Sequence, residues 1–297
     1  MKYAWIEENR ETFALAVMCQ MLGVSRAGYY DWQGREPSLK QREDQYLETR
    51  VVALFWQGRG CYGTRRLKQL LAIEGWLVSR RRIGRLLKEK GLACKTRKKR
   101  KPMTTDSQHD QPVAPNRLDR QFQVERPNQC YVGDISYIDT EEGWLYLAIW
   151  IDLYSRTVVG WSMKDHMKSA LVCEALTMAI GSRETAPGLM IHSDRGSQYA
   201  SDAFQKRLKD HQFIASMSRK AQCWDNAVAE SFFHTLKTER VFQQRYTSHE
   251  QAKQSIFEYI EVFYNRQRLH STIGYQAPLV YEQQQAALGV VEAGSRK

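Results

Sequence analysis

The sequence has no Cys-x-x-C pair. Its six cysteines (Cys19, Cys61, Cys94, Cys130, Cys173 and Cys223) are scattered along 297 residues. That spacing argues against a zinc module and fits reduced cytosolic thiols. No apolar run reaches the ~18 residues of a membrane span. Acids at Glu7, Glu8 and Glu11 break the layout of a secretory leader. A sustained heptad repeat is also missing, as is any internal repeat beyond two helix-turn-helix outlines. These absences lead us to expect a soluble intracellular protein without a membrane partner.

Acid excess is missing too, and its distribution is uneven. The formal charge is +11 and the pI near 9.3. Residues 1–126 hold 26 Lys and Arg against 14 Asp and Glu, whereas residues 127–297 hold 18 against 19. A basic N-terminal part beside a neutral remainder points to a polyanionic partner for the former. The length is enough for two domains, one with a sizeable core.

In chain order, Phe13–Trp32 outlines a helix stopped at Gly23 and a second helix capped by Ser25. Lys40–Trp56 reads as an amphipathic helix used for packing. Residues 62–92 outline a second helix-turn-helix. Thr64 is the expected cap of its first helix, Gly75 the turn, and Ser79 the cap of a helix closed by Gly91. Arg80, Arg81, Arg82 and Arg85 crowd the early turns of that last helix, where a recognition helix meets groove and phosphates. A solvated basic face is the alternative. Thr96–Lys101 is a basic run leading into a polar, Pro-containing linker.

The remainder carries the acids. Strands are expected at Cys130–Ile138, Gly143–Asp152 and Thr157–Ser162, joined by short turns as a meander. A helix at Ser169–Ser182, a strand at Leu189–Ser193, a helix at Ser201–Asp210 and a strand at Phe213–Met217 follow. The next helix begins at an Asp225 or Asn226 cap and gathers Val228, Ala229, Phe232, Phe233 and Leu236 on one side, with Glu230, His234 and Lys237 on another. Asp134 lies mid-strand, Asp194 at a strand end and Glu230 on the helix. Buried acids are costly unless paired or metal-bound. Three from separate elements can surround hard cations that take oxygen ligands. Asp152 reads as a turn-capping acid, and His192 as a core or supporting residue. Trp224, Asp225 and Asn226 read as the helix entry, with substrate contact left open.

Asp194 and Glu230 are separated by 35 residues, with Lys237 seven positions after the glutamate. This spacing, and the runs HSDRGSQY, SMSRKAQCWDNAVAESFFHTLKTE and YNRQRLHSTIGYQAPLVYE, resemble the second-frame product of insertion-sequence transposases of the family numbered three. The catalytic core resembles that of retroviral integrases. One departure is Gly133, where the family more often has Thr; it is expected to loosen the strand slightly. The resemblance implies an α/β (α+β) fold: a ribonuclease-H-like core with a mixed five-stranded sheet, preceded by an all-α helix-turn-helix region. Residues 1–95 would be the helical DNA-binding region, 96–124 a basic linker, 125–245 the core, and 246–297 a C-terminal helix and tail.

It further implies a DNA transposase that cleaves strands at element ends and joins the freed 3′-hydroxyl to target DNA. Asp134, Asp194 and Glu230 would hold two Mg²⁺ ions, with Mn²⁺ as substitute, and Lys237 a phosphate of the transferred end. The implied partners are double-stranded DNA (terminal inverted repeats and target), an upstream-frame protein or frameshift fusion, and further copies of the chain, in a bacterial cytoplasm. Two other readings stay open: a ribonuclease-H-like nuclease, which would need no helix-turn-helix modules, and a non-catalytic DNA-binding regulator, which would leave the acids unexplained. For Arg266–Pro278, DNA contact and packing on the core are equal alternatives.

Overall fold

A computed structural model describes residues 1–95, 111–220 and 222–294. The basic run at 96–101 and the first part of the expected linker lie outside the described residues. Six helices open the chain: α1 (Lys2–Glu8), α2 (Leu15–Leu22), α3 (Arg26–Gln33), α4 (Leu39–Gln57), α5 (Thr64–Ile73) and α6 (Arg80–Glu89). Gly23 ends α2 in the left-handed conformation at φ 60°, and the Ser25 side chain caps α3 by accepting from the Gly28 amide. Ser79 caps α6 in the same way through the Arg82 amide. Thr64 does not cap α5: it is the first helical residue, and Gly63 stands at the cap without a side-chain bond. The first three helices share a small cluster of Ile6, Met18, Cys19 and Tyr29.

The sheet follows as β1 (Cys130–Thr140), β2 (Gly143–Asp152), β3 (Val158–Lys164), β4 (Met190–Ser193) and β5 (Ile214–Met217), in the order β3-β2-β1-β4-β5. The first three strands form the expected antiparallel meander. β4 joins β1 in parallel and β5 joins β4 in parallel, so the sheet is mixed. Alternation along the strands sends Val132, Leu147, Ile149 and Ile151 to one face. Tyr131, Ala148, Trp150 and Val159 go to the other, where α7 (Ser169–Ser182), the short α8 (Ser197–Ala200) and α9 (Asp202–Asp210) cover them.

The first face is covered by α10 (Ala227–Glu239) and by α11 (His249–Phe257), which continues as a π-helical stretch over Glu258–Tyr264. Phe232, Phe233 and Leu236 of α10 are buried there; each contributes about 1.5–3 kcal/mol of hydrophobic stabilisation. The same apolar cluster runs on into α4, α5 and α6 through Leu54, Leu67 and Ile83. α12 (Pro278–Gly294) ends the described chain, so Val290–Gly294, which the residues alone suggest is frayed tail, is helical. No helix among the described residues is long and apolar enough to cross a membrane.

Arg266–Pro278 turns out to begin with packing residues. Arg268 is buried and donates two hydrogen bonds to the buried Glu239, each 2.8 Å. Just before it, the Asn265 side chain pairs with the backbone of Val158 in both directions at 3.0 Å. Asp152 caps its turn as read, accepting from the amides of Asn128 and Tyr154 at 2.9 Å. Burial pushes its carboxyl up to about 6 against the pull of those two donors.

Candidate active site

Asp134 and Asp194 lie on neighbouring strands, each two residues beyond the paired Val132 and His192, and α10 carries Glu230 over the same face. Asp134 stands mid-strand on the face that α10 covers. Desolvation raises its carboxyl well above the usual range, and Asp194 and then Glu230 push it further, against the Ile135 amide and Lys237. Glu230 stands at the solvent edge, raised by partial desolvation and by Asp194. Asp194 follows β4 directly; its Oδ1 accepts from the Gly196 amide at 2.9 Å, which folds the polar loop back under the carboxylate. Uncompensated like charges disfavour their own ionisation. Among the described residues, no three His, Cys, Asp or Glu side chains already stand in metal-holding geometry. The donors are nonetheless oxygen only, as Mg²⁺ and Mn²⁺ prefer. The buried Tyr199 hydroxyl, in the field of Asp194 and Asp134, has no hydrogen-bond partner among the described residues. This donor set fits hard cations.

Two links hold α10 to the aspartate strands, and neither is legible from composition. Asn226 donates from Nδ2 to the Gly133 carbonyl at 3.0 Å, pinning the helix entry to the strand beside Asp134. His192 is wholly buried; its Nε2 donates to the Asp225 carbonyl at 3.0 Å, and its Nδ1 meets the Ser216 hydroxyl at 2.8 Å. A carbonyl only accepts, so Nε2 carries the proton and Nδ1 accepts from Ser216. Burial presses this imidazole down to about 4, which keeps it neutral. His192 thus supports the site from the core, as expected.

Asp225 and Asn226 form the helix entry but do not cap it. No side chain caps α10, which is preceded by a 3₁₀ turn at Cys223–Asn226. The buried Asp225 instead accepts from Arg219 (2.9 Å to each oxygen), Arg120 (2.7 Å) and Asn116 (2.9 Å). Arg219 leads in holding its carboxyl far below the usual range against the cost of burial, with Arg120 adding to it. Within the WDN run, a charged residue at a helix start satisfies the cap pattern equally well, so the sequence alone does not reveal this hub. Trp224 is 68 % exposed.

The Lys237 ammonium lies 4.4 Å from the centre of the Tyr137 ring on β1, a cation–π contact that fixes its height on the helix. Tyr137 in turn meets Trp144 edge-on at 4.9 Å. On α6 the four arginines divide. Arg82 and Arg85 both pair with Asp44 of α4 at 2.6 Å, and Arg85 also with Glu89. Arg80 and Arg81 are exposed, the former touching Thr64 at 3.3 Å.

Models described as "Integrase core domain" match residues 124–223 and 230–285, and one described as "HTH-like domain" matches 41–100. The chain is similar to the transposase InsF for insertion sequence IS3A of Escherichia coli (strain K12), 39% identical over 97% of this chain and 100% of that protein. It is also similar to the insertion element IS600 uncharacterized 31 kDa protein of Shigella sonnei, 44% identical over 90% of this chain and 97% of that one. Among solved structures, the simian T-cell lymphotropic virus intasome matches with a TM-score of 0.46 and 17% identity, over 74% of this chain and 70% of that one. The catalytic core domain of BIV integrase matches at 0.41 and 13%, over 55% and 99%. With the integrase core spread over both aspartate strands and the glutamate helix, and near-full-length identity to InsF, the chain belongs to the IS3 family of insertion-sequence transposases.

Proposed function

We propose that Asp134, Asp194 and Glu230 hold two divalent cations, Mg²⁺ or in its place Mn²⁺, and that this site cuts DNA at the element's ends and joins it to a target. The observation that carries the reading is the placement of three carboxylates: Asp134 and Asp194 each lie two residues beyond the paired Val132 and His192 of β1 and β4, and α10, over the same face, brings Glu230. When bound, such a pair would activate water and offset charge on the attacking and leaving oxygens of a phosphodiester. The chain's own groups do the rest. Asn226 and His192 keep Glu230 in register with the two aspartates. Lys237, steadied by Tyr137, holds a phosphate of the transferred end. The freed 3′-hydroxyl then attacks the target phosphodiester, without a covalent enzyme intermediate. Arg80 and Arg81 supply phosphate contacts outside the core, while Arg82 and Arg85 mainly fasten α6 to α4. The partners are double-stranded DNA with terminal inverted repeats, the target, an upstream-frame protein and further copies of the chain.

The test is cleavage and joining of labelled element-end DNA with Mg²⁺, with and without the upstream-frame protein. Asp194→Asn and Glu230→Gln should each abolish both steps, while Lys237→Ala should keep cation binding and reduce end cleavage. Cleavage that persists in Asp194→Asn or Glu230→Gln would overturn the assignment.

A further inference from the structure

On another face of α10 lies a cavity of about 750 Å³, bounded by residues 120–123, by the π-helical stretch and by the 270–272 turn. Its wall includes Val228, Ser231 and Thr235. At 100° per residue these fall on a different side of the helix from Glu230 and Lys237. The cavity is therefore separate from the acid site, although the two share a helix.

Its charge is one-sided. Arg156, with a residue exposure of only 9 %, lines the cavity; its Nη2 donates to the Phe122 carbonyl at 2.9 Å. Its Nη1 is buried and has no hydrogen-bond partner among the described residues. No carboxylate pairs with Arg156 among the described residues: neighbouring Asp152 is engaged by two backbone amides. Asp152 attracts it without touching it, and a buried guanidinium with no contacting carboxylate stays costly unless something else supplies the charge. His270, opposite, feels the same field, since burial and then Arg268, Arg156 and Arg66 press its imidazole down to about 3. Glu239 already answers Arg268, and Asp225 answers Arg120. Ser231, Thr235 and Thr272 line the same space, the Thr272 hydroxyl already paired with His270 Nδ1 at 2.9 Å. Ala227 and Val228, from the side-chain-uncapped first turn of α10, line it as well. A guanidinium, hydroxyls and the positive end of a helix are the donors that a tetrahedral oxyanion takes.

We propose that this cavity is a phosphate site, filled by a phosphodiester of bound DNA or by free phosphate. It goes beyond the acid site and does not depend on it. The test uses the full chain. Thermal unfolding is followed in inorganic phosphate and in chloride of equal ionic strength. Phosphate well above its dissociation constant should raise the midpoint by roughly 2–4 °C over chloride. Arg156→Gln should lose that response, and Arg156→Lys should keep part of it. Because Arg156 is buried and its loss can impair folding, Ser231→Glu serves as the second variant. It sits at an exposed helical position and places a carboxylate on the cavity wall, so it should fold yet lose the response.

The source is then read from anisotropy of a labelled short oligonucleotide. Binding weakened about tenfold in Ser231→Glu identifies a DNA phosphodiester. Unchanged oligonucleotide binding with a lost phosphate response identifies free phosphate. A wild type that responds no more to phosphate than to chloride would overturn the site, as would a folded Ser231→Glu that responds like wild type.

Discussion

Gly133, next to Asp134, shows what a single position can hide. By sequence it weakens a strand; in the structure it is tightly confined. A Cβ there would meet the Trp150 ring at 2.4–2.7 Å. Trp150 is its direct cross-strand partner and stacks on Phe204. The space that a side chain would take at this position is filled by the neighbouring strand. Gly133→Ala should therefore destabilise the fold by about 1–3 kcal/mol, as overpacking does. Replacing Trp150 by Val in the same chain should make that substitution nearly neutral. A double-mutant cycle in denaturant measures the coupling; additive losses would mean that the two positions do not compete for space. Asp225 hid for a different reason. An acid at a helix start satisfies the cap pattern, and only the fold reveals that Arg120 and Arg219, distant in sequence or across a turn, reach it first.

Elements were legible where short-range chemistry sets them. The β1–β2–β3 meander has short connections, and its alternating faces match the observed layers. The helix over Ser169–Ser182 carries strong apolar text. The π-helical stretch leaves no such mark, since one altered turn within an amphipathic run keeps its apolar side. α12 had one available signal, Pro278 at the first helical position, where a missing amide costs nothing. On α6 the arginines were legible but their employment was not, because Asp44 lies on a helix distant in sequence. That division is testable. Arg81→Ala should leave the unfolding midpoint unchanged, weaken DNA binding, and reduce the slope of log affinity against log salt by about 1. Arg82→Ala should instead lower the unfolding midpoint, because Asp44 loses a partner. The assignment fails if the two substitutions behave alike in both assays.

At the scale of the whole molecule, the HTH-like region and the integrase core are joined by more than a chain connection. The apolar cluster passes without a break from α4–α6 to α10 and α11. Polar bonds reinforce the join. The Tyr62 hydroxyl donates to the Gln267 carbonyl and accepts from the Leu269 amide, both at 3.1 Å. Arg66 donates to the Leu269 carbonyl at 2.9 Å, and Lys95 to the Glu239 carbonyl at 3.2 Å. The 266–278 segment is thus a socket for α5, and the buried Arg268–Glu239 pair is its floor. Removing one member of a buried pair strands the other charge, at a cost of about 3–5 kcal/mol. Glu239→Gln should therefore loosen both regions together. Native-state hydrogen exchange on peptides from α5 and from β1 checks this. Parallel losses of protection are expected if the HTH-like helices and the acid-bearing sheet open as one cooperative unit. Loss in β1 alone would mean that α4–α6 fold independently of the sheet.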